Sequence, residues 1–266
     1  MCTIVLLHRV HPRWPIVVAA NRDEYYSRAS SAPEILTRDP VPVLGGRDAR
    51  HAGTWMGSTQ RGLFVGLTNQ RTLRPADSSR RSRGEVVLEA LRRGSREAVD
   101  AYLRGLDAPR YNPFNLMYGD AHGMSVAYVR DERPFVTIEA LDAGVHVLAN
   151  DRIGSEHFPK ADRALALVHE GSLAQKPWET LQDGLLTVLR DHALPPPARI
   201  PEPPPGSILP GGVLQRLQAL CVHTPVYGTV SSTLVALAPG RTDRYVYVPG
   251  APCRTAPVDV TASIAL

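Results

Sequence analysis

The sequence predicts an α+β fold, with two mainly antiparallel sheets held between layers of helix. Apolar runs of strand character and amphipathic segments of helical period alternate along the 266 residues: strands, two helices, strands, two helices, strands. Two sheets sandwiched between helical layers bury all the apolar faces that this order creates. The strand-like runs are short and joined by compact turns, which is the connectivity of antiparallel pairing. The length is large for one domain but within the range of sandwich folds. The stretch after the last proline-dense segment is too short to build its own core, so residues 1–266 are expected to form one domain.

The run Met1-Cys-Thr-Ile-Val-Leu-Leu-His8, the turn His11-Pro12-Arg13-Trp14-Pro15 and the run Ile16 to Glu24 predict two neighbouring strands. Their pairing brings Cys2 to Asn21, Arg22, Asp23 and Glu24. Removal of the initiator Met, which a small second residue permits, leaves a cysteine bearing both a thiol and a free α-amine. Such an amine titrates at about 7.7–8.0 and can take the thiol proton near neutral pH. A small cysteine that merely begins a strand is the alternative that these residues leave open.

Ser27 to Arg50, with Pro33, Pro40, Pro42 and Gly45-Gly46, has little periodicity and is expected to be a long surface loop beside Cys2. Its Arg47-Asp48-Ala49-Arg50-His51 cluster is either an anion grip or a solvated face. Gly53 to Thr59 and Leu63 to Thr68, turned at Gly62, predict a hairpin with Asn69 at its end. Asn69 is either an oxyanion donor or a turn cap. Gln70 to Arg83 is polar and loop-like. Ser82-Arg-Gly-Glu85 resembles a capping box opening a helix that ends at Arg92-Arg93, and Ser95 opens a second helix.

Phe114–Asp120, Met124–Arg130, Phe135–Glu139 and Val145–Ala149 predict a meander of four strands, with Asn150 closing the last. His122 and His146 fall on a turn and a strand, with no carboxylate nearby in sequence. Two amphipathic helices follow, Ala161–His169 and Trp178–Leu189. A proline-dense internal loop occupies about 194–212. A short helix at Val213–Leu220 precedes closing strands through Tyr227–Thr233, Leu234–Leu237 and Tyr245–Val248.

Composition narrows the function. The chain has 30 basic and 26 acidic residues, a net charge of +4, and all the basic residues except Lys160 and Lys176 are arginine. So small and dispersed an excess gives no basis for a nucleic-acid partner. Cys2, Cys221 and Cys253 form no CxxC pair and no Cys/His spacing of zinc type, and their odd number disfavours a disulfide framework. No apolar run of about 18 residues and no signal segment is present, so a cytoplasmic protein without transmembrane segment, metal or organic cofactor is expected. No feature specifies an oligomeric state.

Asn21-Arg22-Asp23-Glu24 after Met-Cys-Thr-Ile resembles the signature of the NRDE family, also called the transport and Golgi organisation 2 family. Ala52–Gly57, Gly66-Leu-Thr-Asn69, Phe114–Asp120, Leu148-Ala-Asn150 and Tyr227–Thr233 fit the same family, so the resemblance runs over nearly the whole chain. The family is similar to N-terminal-nucleophile hydrolases, especially the cysteine members that include penicillin V acylase and bile salt hydrolase. The resemblance implies a four-layer αββα sandwich and a hydrolase or acyl transferase that cleaves a non-peptide carbon–nitrogen bond of a small-molecule substrate through a Cys2 thioester. In that scheme Asp23 orients the α-amine, Asn69 and Asn150 receive the oxyanion, and Asn21, Glu24, Tyr25 and Trp55 contact substrate.

Two positions depart from the pattern. Ala20 stands where the acylases have an arginine, which leaves Arg22 as the provisional equivalent, and Val230 replaces the arginine usual in Tyr-Gly-Thr-Arg-Ser-Ser-Thr. A rival implication is a non-catalytic binding or trafficking protein for haem or a lipid or acyl ligand, with Trp55, Met56 and Tyr25 lining an apolar pocket. The chain carries no CxxCH haem-attachment motif.

Overall fold

In the computed structural model the described residues are 2–72, 75–156, 158–200 and 211–264. In chain order they form strands β1 (Thr3–His8), β2 (Ile16–Tyr25), β3 (Ser30–Thr37), β4 (Val43–Asp48), β5 (Met56–Thr59) and β6 (Phe64–Asn69), then helices α1 (Arg83–Arg92) and α2 (Arg96–Arg104). Strands β7 (Phe114–Asp120), β8 (Gly123–Val129), β9 (Thr137–Leu141) and β10 (Gly144–Leu148) precede helices α3 (Pro159–Glu170), α4 (Trp178–Leu189) and α5 (Gly211–Arg216). Strands β11 (Tyr227–Ala238), β12 (Arg241–Val248) and β13 (Val258–Asp259) close the chain. One sheet has the order β10-β1-β2-β11-β12-β13 and the other β3-β4-β5-β6-β7-β8-β9; every pairing between strands is antiparallel.

The expected αββα sandwich is the observed one, and its three apolar layers follow from the pleat. Alternate residues of a strand face opposite sides. Val5, Leu7, Val17 and Ala19 pack with Leu181, Leu185 and Leu186 of α4. Their neighbours Ile4, Leu6, Ile16, Val18 and Ala20 face the second sheet at Phe64, Met117 and Val126. Val65, Leu116 and Tyr118 on the far side of that sheet meet Val86, Leu91, Val99 and Leu103 of α1 and α2. Strands β1 and β2 are therefore buried on both faces, which is why they read as unbroken apolar runs. No helix among the described residues is long and apolar enough to cross a membrane.

Several expectations are corrected. Ser27 to Arg50 is not a loop: it supplies β3 and β4. Its prolines hid the pattern, yet β3 lies at a sheet edge, where Pro33, which has no N–H to donate, is tolerated, and its register shifts between Ser30 and Pro33. The four-strand meander stops after three. β10 leaves the second sheet and pairs with β1, setting Ile4 opposite Leu148. β9 begins at Thr137, two residues beyond the expected Phe135. The helix after Ser82 forms, but the Ser82 side chain caps nothing, and Glu85 pairs instead with Arg81. Ser95 does cap α2, accepting from the Ala98 N–H. Tyr227–Thr233 and Leu234–Leu237 belong to one continuous strand, β11. Of the proline-dense loop, residues 201–210 lie outside the described residues, as does Met1.

Candidate active site

The corrected position of β10 builds the site. Continuing the β1–β10 register from Ile4–Leu148 sets Cys2 level with Asn150, and continuing the β1–β2 register from Thr3–Asn21 sets it level with Arg22. Arg22 in turn pairs with Ser231 of β11. Asn150, Cys2, Arg22 and Ser231 thus form one row across four adjacent strands, at the end of the sheet where β1 begins. Cys2, half-buried, opens on a cleft between the two sheets with about 260 Å³ of space, walled by Ile4, Arg22, Ser231 and Thr233 on one side and Trp55, Met56 and Leu67 on the other.

Arg22 shares the cleft face with Ala20 because the two are one pleat apart. Its guanidinium carbon lies 4.3 Å from the centre of the Trp55 ring, a cation–π contact. It also donates to Ser30 Oγ at 3.3 Å and stands 3.9 Å from Glu24 Oε2. Trp55 reaches this position because Gly46 has no side chain: a Cβ there would fall 2.2 Å from the indole. Glu24 is drawn to Arg28 at 3.2 Å, and Arg28 to Asp48 at 2.6 Å. Burial acts to raise the Asp48 pKa, but hydrogen bonds from Arg28 and the Arg50 N–H, together with the Arg28 charge, hold it below the usual carboxylate value. Arg47 pairs with Glu34 at 2.7 Å, so both Arg47 and Asp48 of the cluster left open as an anion grip or a solvated face are engaged within the fold.

Asn150 bridges the sheets. Its Nδ2 donates to the Asn69 carbonyl at 2.7 Å and its own carbonyl accepts from the Arg71 N–H at 2.7 Å. The turn holding it is fixed from below by buried Asn115, whose Nδ2 donates to the carbonyls of Ala149 at 3.4 Å and Asp151 at 3.2 Å. Asn150 Oδ1 is buried with no hydrogen-bond partner among the described residues, a state that costs about 1–3 kcal/mol unless a ligand or solvent group meets it.

Asp23, next to Arg22, points to the opposite, helix-facing side of the sheet. Its Oδ2 accepts from Lys160 Nζ at 3.1 Å and its Oδ1 from Thr229 Oγ1 at 2.6 Å, and both partners of the ion pair have fully buried side chains. Asn21, on the same side, donates to the carbonyls of Leu189 and Leu220, each at 2.9 Å, and accepts from Ser232 Oγ at 2.6 Å. Its amide is thus committed to the framework although the residue borders the cleft. Tyr25 is exposed, packing edge-on against Tyr227. His122 offers its carbonyl to Arg9, and His146 Nε2 bonds the Asp142 carbonyl, so both lie apart from the thiol as expected.

Sequence reasoning missed two cations, Lys160 and Arg83. Lys160 sits in the first turn of α3, where a helix dipole disfavours positive charge; that misplacement was the readable sign of a buried partner. Arg83 makes no ion pair among the described residues, and burial, followed by the neighbouring Arg28 charge, pulls its pKa down, with the Glu24 charge first among those acting in the other direction. Burial likewise lowers Arg71, whose guanidinium lies 4.8 Å from the Phe158 ring centre. The residues able to hold a metal are elsewhere: His192, Cys221, His223 and Cys253 gather on the helix side, from positions with no local motif.

The pattern that defines the Transport and Golgi organisation 2 family matches residues 1–246. Among curated relatives, the Transport and Golgi organization protein 2 homolog of Homo sapiens is 30% identical over 244 residues, and that of Bos taurus 31%, each match covering 83% of this chain and 81% of the relative. Among solved structures, the C2A mutant of a conjugated bile acid hydrolase from Clostridium perfringens superposes with a TM-score of 0.58 at 14% identity, covering 98% of this chain and 93% of that one. A Caenorhabditis elegans orthologue of N-acylethanolamine-hydrolyzing acid amidase gives 0.51 at 15% identity, covering 91% and 94%. At these identities the structural likeness is one of fold.

Proposed function

Because the chain belongs to the Transport and Golgi organisation 2 family and shares its fold with cysteine amide hydrolases, we propose that it is an N-terminal-cysteine hydrolase or acyl transferase acting on a non-peptide carbon–nitrogen bond. The observation that carries this reading is the row Asn150–Cys2–Arg22–Ser231 along the mouth of the inter-sheet cleft. With Met1 removed, the α-amine of Cys2 takes the thiol proton and the thiolate attacks the amide carbonyl. The oxyanion of the tetrahedral adduct is received by Asn69 and by the Asn150 amide, one N–H of which holds the Asn69 carbonyl and the other of which is assigned to the oxyanion. Collapse expels the amine, which takes the proton from the α-ammonium and leaves a Cys2 thioester. Water, deprotonated by the same amine, then releases the acid, or a second amine takes the acyl group.

Asp23 follows Arg22 along β2 toward the amine end of Cys2, and Lys160 and Thr229 fix its carboxylate for the orienting role. Arg22 lies one pleat beyond Ala20 on the same face, so it serves the cleft in the place of the arginine expected there. The charge lost at Val230 has substitutes in Arg83 and Arg71, neither of which makes an ion pair among the described residues. An acyl substrate with an anionic group satisfies them. Carriage of haem has less support, since Tyr25, expected to line an apolar pocket, is exposed and stands outside the cleft.

Intact mass of untagged protein, followed by incubation with amide and thioester libraries, tests the proposal. The expected result is a chain lacking Met1 that gains an acyl mass, and Cys2→Ala abolishes the gain. Retention of Met1 in protein that still turns over substrate would overturn the mechanism, because the base would be missing.

A further inference from the structure

Outside the cleft, three separated segments bring together four side chains of metal-binding type. His192 follows the end of α4, Cys221 and His223 lie in the bend before β11, and Cys253 lies in the turn after β12. One ligand atom from each falls within 4.8 Å of all the others. The closest separations are 3.3 Å between His223 Nε2 and Cys253 Sγ, 3.6 Å between His223 Nε2 and Cys221 Sγ, and 3.7 Å between the two sulfurs.

These lengths have a simple geometric meaning. A tetrahedral zinc with bonds of about 2.3 Å to sulfur and about 2.0–2.1 Å to nitrogen holds its ligand atoms about 3.8 Å apart for a sulfur pair and about 3.5–3.6 Å apart for sulfur and nitrogen. The two cysteines and His223 already occupy three corners of that figure. His192 needs to close by roughly 1 Å to reach the fourth, and it is exposed and able to swing. Its Nδ1 lies 3.0 Å from the Cys221 carbonyl, and donation there leaves Nε2 as the nitrogen with a free lone pair, the arrangement that fixes metal-binding histidines.

The three segments are also tied to one another independently of any ion. The Cys221 N–H donates to the Asp191 carbonyl at 2.9 Å and Arg190 Nε to the Pro252 carbonyl at 2.8 Å, so the ligands are held near their positions before a metal arrives. Two thiolates and two neutral imidazoles neutralise a dication. That mixture of soft sulfur and imidazole in a tetrahedron selects zinc over the oxygen-seeking magnesium and calcium.

We propose that His192, Cys221, His223 and Cys253 bind zinc as a closed four-ligand structural site. With all four positions taken by protein, the ion has no open place for substrate. Its work is to clip the end of α4, the start of β11 and the turn after β12 together. Val222, between two of the ligands, donates its N–H to Thr229 Oγ1 at 2.9 Å, and that hydroxyl donates to Asp23 at 2.6 Å. The clip therefore braces the carboxylate of the candidate active site from outside.

The test is metal analysis of the full, untagged chain produced in zinc-supplemented medium. The expected content is about one zinc per chain, falling to background in Cys221→Ser/Cys253→Ser and unchanged in Cys2→Ala, which separates this site from the cleft. Should the double variant fold poorly, cobalt substitution of the wild-type chain gives a second reading. Intense tetrahedral d–d bands with sulfur-to-cobalt charge transfer are expected. Zinc retained in the double variant, a cobalt spectrum without the charge-transfer band, or a mass deficit of two hydrogens showing a Cys221–Cys253 disulfide in place of metal would each overturn the proposal.

Discussion

The two faces of the first sheet treat their polar groups differently. On the helix side, Asp23, Lys160, Thr229, Asn21 and Ser232 are buried and bonded to one another or to main-chain carbonyls. On the cleft side, Asn150 keeps a buried oxygen without partner, and the nearby Arg83 has no ion pair among the described residues. Neighbouring residues of one strand, Arg22 and Asp23, fall on either side of this divide. Satisfied groups hold the structure together, whereas unspent hydrogen-bonding capacity is what a ligand meets.

Breaking the helix-side pair gives the largest expected effect on stability. Lys160→Ala takes the lysine away from the buried Asp23 carboxylate and should cost about 3–5 kcal/mol, read as a lower denaturation midpoint at unchanged denaturant slope. The double variant Lys160→Met/Asp23→Leu should recover much of that loss. A Lys160→Ala protein of wild-type stability would show that the ion pair does not govern folding.

Asn150→Ala attacks the cleft side. Turnover should drop by about 10²–10³-fold, the usual cost of one oxyanion donor, while the unfolding midpoint moves far less than in Lys160→Ala. If stability fell and turnover held, the division between the faces would be wrong. Arg22→Ala loses the Trp55 contact, worth about 0.5–2 kcal/mol, and sharpens the comparison because its neighbour Asp23 is unaltered. Calorimetry of the two variants side by side measures it.

The smallest effect is a pH slope from the far end of β1. His8 is buried, and burial lowers its imidazole pKa from the ordinary 6.5, with a partial offset from its hydrogen bond to the Asp142 carbonyl. The unfolded chain therefore takes up the proton first, so stability is full above the ordinary value and declines as pH falls through and below it. The decline between pH 7.5 and 5.5, by thermal unfolding, should be shallower in His8→Gln than in the wild type.

What could be read from sequence was local. The doubly buried β1 and β2, the bounds of α4 at Trp178 and Leu189, the turn at Gly62 with φ +83°, and the strand ending in Asn69 all declare themselves within a few residues. Strands β3 and β4 were hidden because Pro33 and Gly45-Gly46 interrupt the alternation, and only an edge position and close packing on Trp55 and Met56 explain them. The pairing of β10 with β1 depends on which apolar face finds a partner across 140 residues of sequence separation. That choice is made by the whole fold. Cys2, Arg22 and Asn150 were therefore nameable as separate residues, while their alignment in one row was not. The same holds for Cys221 and Cys253, whose meeting depends on three turns folding correctly.

Gly46, in the second strand from the sheet edge, touches no reacting group. Yet a single methyl there would lie 2.2 Å from the Trp55 indole, so the ring that forms one wall of the cleft has to move. Cleft width is thus set from behind, by a residue that carries no charge and makes no hydrogen bond through a side chain. Natural drift or deliberate engineering at this one position reshapes the wall from its back, without replacing any polar group that faces the cleft.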